Sequence, residues 1–224
     1  FISTKQIGKN GYMNWEQIKE VEKENFAFIG NHSYSHDYLT KYNYNDFIID
    51  INKSIKDFKV NLNYNPIYFS YPFGEYSLEQ KKFIEKNFKY GFGQHSGVID
   101  INKDKYELPR FPINEKYGDL ERFKFLIKLK PLQYKSLTPE QKLIKVNNPP
   151  NIYVEFFKDQ ININNINCFS NEGGNWKNSE IEVKNNILNI KLKDKFTPRR
   201  GRVNCSLKDN SDWRWFGTQF TIEN

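Results

Sequence analysis

Long apolar runs are missing from this 224-residue chain. No stretch approaches the roughly 18 residues of a membrane helix, and the mean hydropathy is −0.81, so a spanning helix is set aside. Sulfur is scarce, with two cysteines and one methionine, and there are only three histidines. Two cysteines leave room for one internal bridge at most. No internal repeat or low-complexity tract stands out, which sets aside a solenoid array. The first residues do not read as a secretory leader. The chain opens on Phe1 rather than Met, and the expectation is that something upstream has been removed. A strong charge of one sign is missing locally, although the net charge is +7. That surplus and a pI near 9.1 suit an anionic partner such as a cell surface or a nucleic acid. The basic residues are dispersed, however, and alternate with acids along expected helices. They read as solvated faces, not as a nucleic-acid site.

What is present divides into two textures. Residues 1–130 alternate helix-like and strand-like segments. Asn14 followed by Gln17 predicts a capped helix to about Glu24, with Trp15, Ile18 and Val21 inward. Phe26 to Ile29 predicts a short strand. Tyr44, Phe47, Ile48, Ile51, Ile55 and Phe58 recur at helical spacing. Pro66 to Tyr71 reads as a strand, and Ser77 with Gln80 opens another capped helix. Leu120, Phe123, Leu126 and Ile127 mark a last helix. Such alternation argues for parallel strands covered by helices, with functional residues just past strand C-termini. Residues 131–150, with prolines at 131, 139, 149 and 150, are expected to be a linker. From 151 to 224 short β-prone runs at 152–157, 161–170, 181–183, 187–192, 202–207 and 214–222 predict a small β-sandwich. Cys168 and Cys205 fall in two of these runs. They are either bridged, as is common in secreted domains, or two buried free thiols.

The most informative stretch is Gly30-Asn31-His32-Ser33-Tyr34-Ser35-His36. Two of the three histidines stand four apart, and a helical turn would put both on one face. Both imidazoles would then reach one divalent cation at about 2.0–2.1 Å. The bland alternative is a chance surface pair. About 35 residues on comes Tyr68-Phe69-Ser70-Tyr71-Pro72-Phe73-Gly74-Glu75-Tyr76, ending in a Pro-aromatic-Gly turn. Gly91-Phe92-Gly93-Gln94-His95-Ser96-Gly97 and Leu108-Pro109-Arg110-Phe111-Pro112-Ile113 follow.

In this order the four segments resemble the polysaccharide deacetylases, the NodB-homology proteins of carbohydrate esterase family four. The look is that of the branch acting on poly-N-acetylglucosamine-like chains. The resemblance covers roughly residues 1–130 and implies an α/β fold, a distorted (β/α) barrel. It implies that His32 and His36 are metal ligands, with zinc as the expected ion, and that Tyr71 and Phe73 line the sugar groove. It also implies an extracellular polysaccharide substrate, and hence a secreted, periplasmic or cell-surface location. The family's Thr-Phe-Asp-Asp motif, which gives the catalytic base and a third ligand, has no counterpart here. The family places it upstream of a strand like Phe1-Ile2-Ser3-Thr4, so the expectation is a barrel lacking its first strand and helix, standing open or filled by a neighbour. At least about 25 further residues with an Asp pair are then expected upstream, because orphaned buried backbone groups cost about 1–3 kcal/mol each. Ser70 stands where the family often has Arg, and the late Leu-x-His is not evident.

N-deacetylation is amide hydrolysis, in which a metal activates water, a base takes its proton and an acid protonates the amine. His95, the remaining imidazole, takes the acid role by this resemblance. Arg110 either orients an acidic base or serves as a structural ion pair. Each ligand histidine is expected to donate its second N–H to a carboxylate or a carbonyl, with Asp37 a nearby candidate. Near the C-terminus, alternation puts Phe216, Phe220 and Ile222 on one strand face and Trp213 and Trp215 on the other. The two tryptophans either stack on sugars or pack beneath neighbouring structure. Arg199-Arg200-Gly201-Arg202 is a basic turn, a steering element or a plain solvated loop. The reading is a metal-dependent deacetylase of an N-acetylglucosamine-type polysaccharide. The alternative is a non-catalytic carbohydrate-binding or surface-assembly protein that keeps the fold.

Overall fold

A computed structural model describes residues 1–158, 163–197 and 199–223. The chain divides into two compact units. The first is Phe1–Gly93 with Asp104–Leu108, and the second is Gln94–Lys103 with Pro109–Asn224. No helix among the described residues is long and apolar enough to cross a membrane.

The first unit is built on parallel pairing. Ile2 bridges Asn31, and Asn31 bridges Phe69 of β1 (Tyr68–Ser70). β1 pairs in parallel with β2 (Tyr90–Phe92), and Phe92 bridges Leu108. Helices α1 (Trp15–Lys23), α2 (Tyr44–Leu62) and α3 (Leu78–Asn87) fill the connections. Both expected capping boxes are present, Asn14 with Gln17 and Ser77 with Gln80. Each satisfies two otherwise orphaned N–H groups at its helix start. Asn43 caps α2 through the Asp46 N–H, and Asn63 ends it in the left-handed conformation, as C-terminal caps do. Phe47, Ile51 and Ile84 pack from α2 and α3 onto Phe69, Tyr71, Tyr76 and Phe88. The strand expected at Phe26–Ile29 does not form. Phe26 and Phe28 are 77% and 81% exposed, and pairing begins only at Asn31. Lys81, buried on α3, ties residues 104–108 to this unit through Asp104 at 2.5 Å and Glu107 at 3.6 Å.

The second unit carries α4 (Leu120–Leu126) and most of the strands. The segment 131–150, expected as a linker, supplies strand residues of its own: β3 (Lys130–Pro131), β4 (Ser136–Thr138) and β5 (Leu143–Ile144). They join β6 (Ile152–Glu155), β7 (Asn167–Ser170), β8 (Lys177–Asn178), β9 (Glu180–Lys184), β10 (Ile187–Lys191), β11 (Arg200–Asp209) and β12 (Asp212–Ile222). Of the run expected at 161–170, residues 161 and 162 lie outside the described residues, Ile163–Asn165 form a 3-10 turn, and the strand begins only at Asn167. One sheet has the order β4-β6-β10-β9, and the other β3-β12-β11-β7-β8, with β5 also on β12. Ile152, Val154, Leu188 and Ile190 of the first sheet share one core with Val203, Cys205, Phe216 and Phe220 of the second. Cys168 and Cys205 face each other across β7 and β11 and are joined by a disulfide, their Cα atoms 4.1 Å apart.

Candidate functional site

The histidine segment is not helical. Ser33 and His36 both take positive φ, at 68° and 61°, a conformation that costs a non-glycine residue about 1–2 kcal/mol. Small polar side chains hold that shape. The Asn31 side chain accepts from the Ser33 N–H at 2.7 Å and donates to Ser54 Oγ at 2.8 Å. Ser33 Oγ accepts from the His36 N–H at 2.9 Å. Asp50, buried on α2, accepts from the N–H groups of Tyr34 and Ser35 at 2.9 and 3.1 Å. The hydroxyl residues between the histidines are therefore fasteners of the loop. Its anchors, Asn31, Asp50 and Ser54, are all buried.

This loop puts the two imidazoles together by a route other than helical spacing. Their ring centroids are 4.7 Å apart at an interplanar angle of 65°, and both line one cleft of about 460 Å³. His32 Nδ1 lies 2.6 Å from the Ser70 carbonyl oxygen. A carbonyl only accepts, so Nδ1 is the donor here, and in the neutral ring this leaves the lone pair on Nε2, the form a metal ligand needs. For His32 the partner is thus a carbonyl and not the candidate Asp37, whose carboxylate accepts from the Tyr42 hydroxyl at 2.7 Å. The backbone carbonyl at the end of β1 fills that place, and no sequence signal distinguishes it. Among the described residues no third His, Cys, Asp or Glu completes a cluster. The pair fits a divalent cation as two neutral nitrogen ligands of a larger set.

Phe73 stands beside this pair. Positive φ at 60° turns it so that its ring meets His36 at 4.9 Å and stacks on Tyr38 at 4.2 Å. Tyr71 does not line a groove: it is 1% exposed and packs in the first unit's core against Phe69 and Tyr76. Period-two alternation along β1 and its continuation sends the Tyr71 ring inward with Phe69's neighbours, and the turn at Pro72 then brings Phe73 outward. Burial pushes the Tyr71 hydroxyl well above its usual pKa, with Asp104 and Glu107 adding to the effect.

His95 and Arg110 belong to the second unit, where the Arg110 N–H donates to the His95 carbonyl at 3.0 Å. The Arg110 guanidinium is half-buried, and burial lowers its pKa. Among the described residues no carboxylate pairs with it. Trp213 is 38% exposed under Lys208. Trp215 meets Phe111 edge-on at 6.0 Å and borders a shallow cleft with Phe169 and Trp176.

The polysaccharide deacetylase family model matches residues 1–91. Several solved structures are similar to this chain. The deacetylase PplD of Streptococcus pyogenes, in complex with acetate, is 21% identical with a TM-score of 0.51, over 55% of this chain and 54% of that one. A polysaccharide deacetylase from Bacillus cereus is 17% identical with a TM-score of 0.52, over 57% and 40%. IcaB from Ammonifex degensii is 22% identical with a TM-score of 0.43, over 52% and 56%. The chain spans about half or less of the length of these structures, and at such identities the PplD and Bacillus cereus matches speak for the fold alone. No curated protein matches the sequence.

Proposed function

We propose that this chain is the histidine-bearing part of a metal-dependent deacetylase acting on amide-linked acetyl groups of an N-acetylglucosamine-type polysaccharide. The observation that carries this reading is the His32–His36 pair, two rings 4.7 Å apart in one cleft, within the segment that matches the family model. Zinc held by His32 and His36 would supply a water of lowered pKa and a polarised amide carbonyl. The Ser70 carbonyl keeps His32 in the ligating tautomer, and Asp50 with Asn31 holds the loop against recoil. Phe73 forms an apolar wall at His36 against which a sugar ring can lie. His95 is the proposed acid for the departing amine. The two sheets of the second unit are read as a β-sandwich whose Trp213 and Trp215 offer sugar-stacking faces. The disulfide agrees with a place outside the reducing cytoplasm.

The test is metal uptake measured together with acetate release. The protein is expected to bind zinc in dialysis followed by elemental analysis, and His32→Ala and His36→Ala each to lose that binding. Acetate release from N-acetylglucosamine oligomers is expected to follow the bound metal. Equal zinc content in the wild type and both variants would overturn the reading.

A further inference from the structure

The second unit contains a cleft of about 630 Å³, of whose lining the deacetylase reading concerns Arg110 alone. Its wall carries Arg110, Arg122 and Arg202 beside Phe111, Tyr117 and Trp176, and no acidic residue lines it among the described residues. Gly217 makes the cleft possible. A Cβ there would stand 2.1 Å from the Ser96 carbonyl oxygen, so only glycine lets the 94–97 segment lie against β12.

The three arginines are not equivalent. Arg122 is engaged with the carbonyls of Pro112 and Tyr117 at 3.2 and 2.6 Å. Arg202 Nε donates to Gln219 at 3.1 Å, a neutral acceptor, and no carboxylate pairs with Arg202 among the described residues. Burial lowers the pKa of both Arg110 and Arg202, and Arg200 presses on Arg202 in the same direction. Both remain cationic, as guanidinium groups do in proteins. Half-buried cations without a carboxylate are costly unless an anion joins them, and the guanidinium fork matches carboxylate and phosphate oxygens. Trp176, 54% exposed, borders both this cleft and a second one of about 520 Å³ that Phe169 and Trp215 also line. A flat aromatic wall beside an anion seat suits a charged sugar. A nucleic-acid backbone would want a basic stripe, whereas Lys124, Lys130, Lys135 and Lys191 are paired with Glu121, Asp212, Glu155 and Glu182.

We propose that this cleft binds an acidic segment of a polysaccharide, with its carboxylate or phosphate group seated on Arg110 and Arg202 and its sugar rings against Trp176. The inference rests on the proposed function only in taking the ligand to be a polysaccharide. Because binding is read without turnover, a failed deacetylase assay leaves it standing.

The experiment is calorimetric titration of the 224-residue protein with four probes of matched length. They are an oligouronate, a phosphate-substituted oligosaccharide, a neutral N-acetylglucosamine oligomer and a single-stranded DNA. One or both acidic oligosaccharides are expected to bind at least about tenfold more tightly than the neutral one, equivalent to about 1.4 kcal/mol, and the preferred one identifies the anion. Arg202→Gln is expected to abolish that preference while the melting temperature is retained. If Arg202→Gln does not fold, Trp176→Ala at the exposed rim decides, with an expected loss of about tenfold in affinity for the acidic oligosaccharide. Equal binding of neutral and acidic oligosaccharides, an unchanged affinity in the deciding variant, or tighter binding of DNA than of either acidic oligosaccharide would overturn the proposal.

Discussion

At the residue scale, the loop that carries the histidines depends on one carboxylate that touches neither ring. Asp50 accepts two backbone N–H bonds, from Tyr34 and Ser35, in a buried position. Hydrogen bonds to a charged group contribute about 1.5–3 kcal/mol each. Asp50→Asn keeps the shape but gives up the charge and turns a donor toward one of the two N–H groups. It is expected to destabilise the protein by about 1–3 kcal/mol and to weaken zinc binding by about tenfold, as changes behind a ligand do. Urea unfolding and zinc titration on the same sample check both effects. Unchanged zinc affinity in a folded Asp50→Asn protein would remove Asp50 from the positioning role.

At the element scale, the disulfide joins β7 to β11 at directly opposed positions, Cys168 against Cys205. It closes a chain segment with a sequence separation of 37, a loop size for which chain entropy predicts roughly 3–4 kcal/mol of stabilisation. Both cysteines are buried in the shared core of the two sheets, so serine at either position would also place a hydroxyl in an apolar site. Cys168→Ala with Cys205→Ala is the cleaner test. The double variant is expected to lose about 3–4 kcal/mol against the oxidised wild type in denaturant titration. Reduced wild type is expected to fall to a similar level.

At the scale of the whole molecule, alkaline pH tests the buried tyrosines. Burial raises the pKa of Tyr71 and Tyr76 well above the ordinary value of about 10. Glu107 adds to the effect at Tyr76, accepting its hydroxyl at 2.6 Å. In the unfolded chain these groups release protons near pH 10, while the folded protein retains them. Their contribution to stability is thus fully present below pH 10 and is lost as pH rises toward the folded-state values. Each group costs at most about 1.4 kcal/mol per pH unit in that window. The Tyr71 hydroxyl is buried with no hydrogen-bond partner among the described residues. Tyr71→Phe is therefore expected to match or exceed wild-type stability at pH 7 by up to about 1 kcal/mol, and to show a shallower decline above pH 10. Melting temperatures at pH 7 and pH 10.5 decide it. A destabilised Tyr71→Phe protein at pH 7 would mean that the hydroxyl has a partner.

The sequence by itself determined what is local. The capping pairs Asn14–Gln17 and Ser77–Gln80 and the apolar spacing of α2 lie within a few residues of one another, and their hydrogen bonds and packing faces follow from that spacing. The strand runs between 181 and 222 and the nearness of His32 to His36 were legible on the same ground. The tertiary structure alone decided what depends on distant partners. Helical periodicity points to the wrong conformation for the histidine loop, because Asp50 and Ser54 from α2 stabilise a left-handed turn that no local propensity favours. Tyr71 sits in a core and Phe73 beside His36 because the turn at Pro72 reverses which side chain faces inward. Short segments around Lys130, Ser136 and Leu143 become strands only because β6 and β12 offer them unpaired edges. A cation's partner is likewise a tertiary fact, since nothing in the order of residues places Arg202 and Trp176 on one cleft.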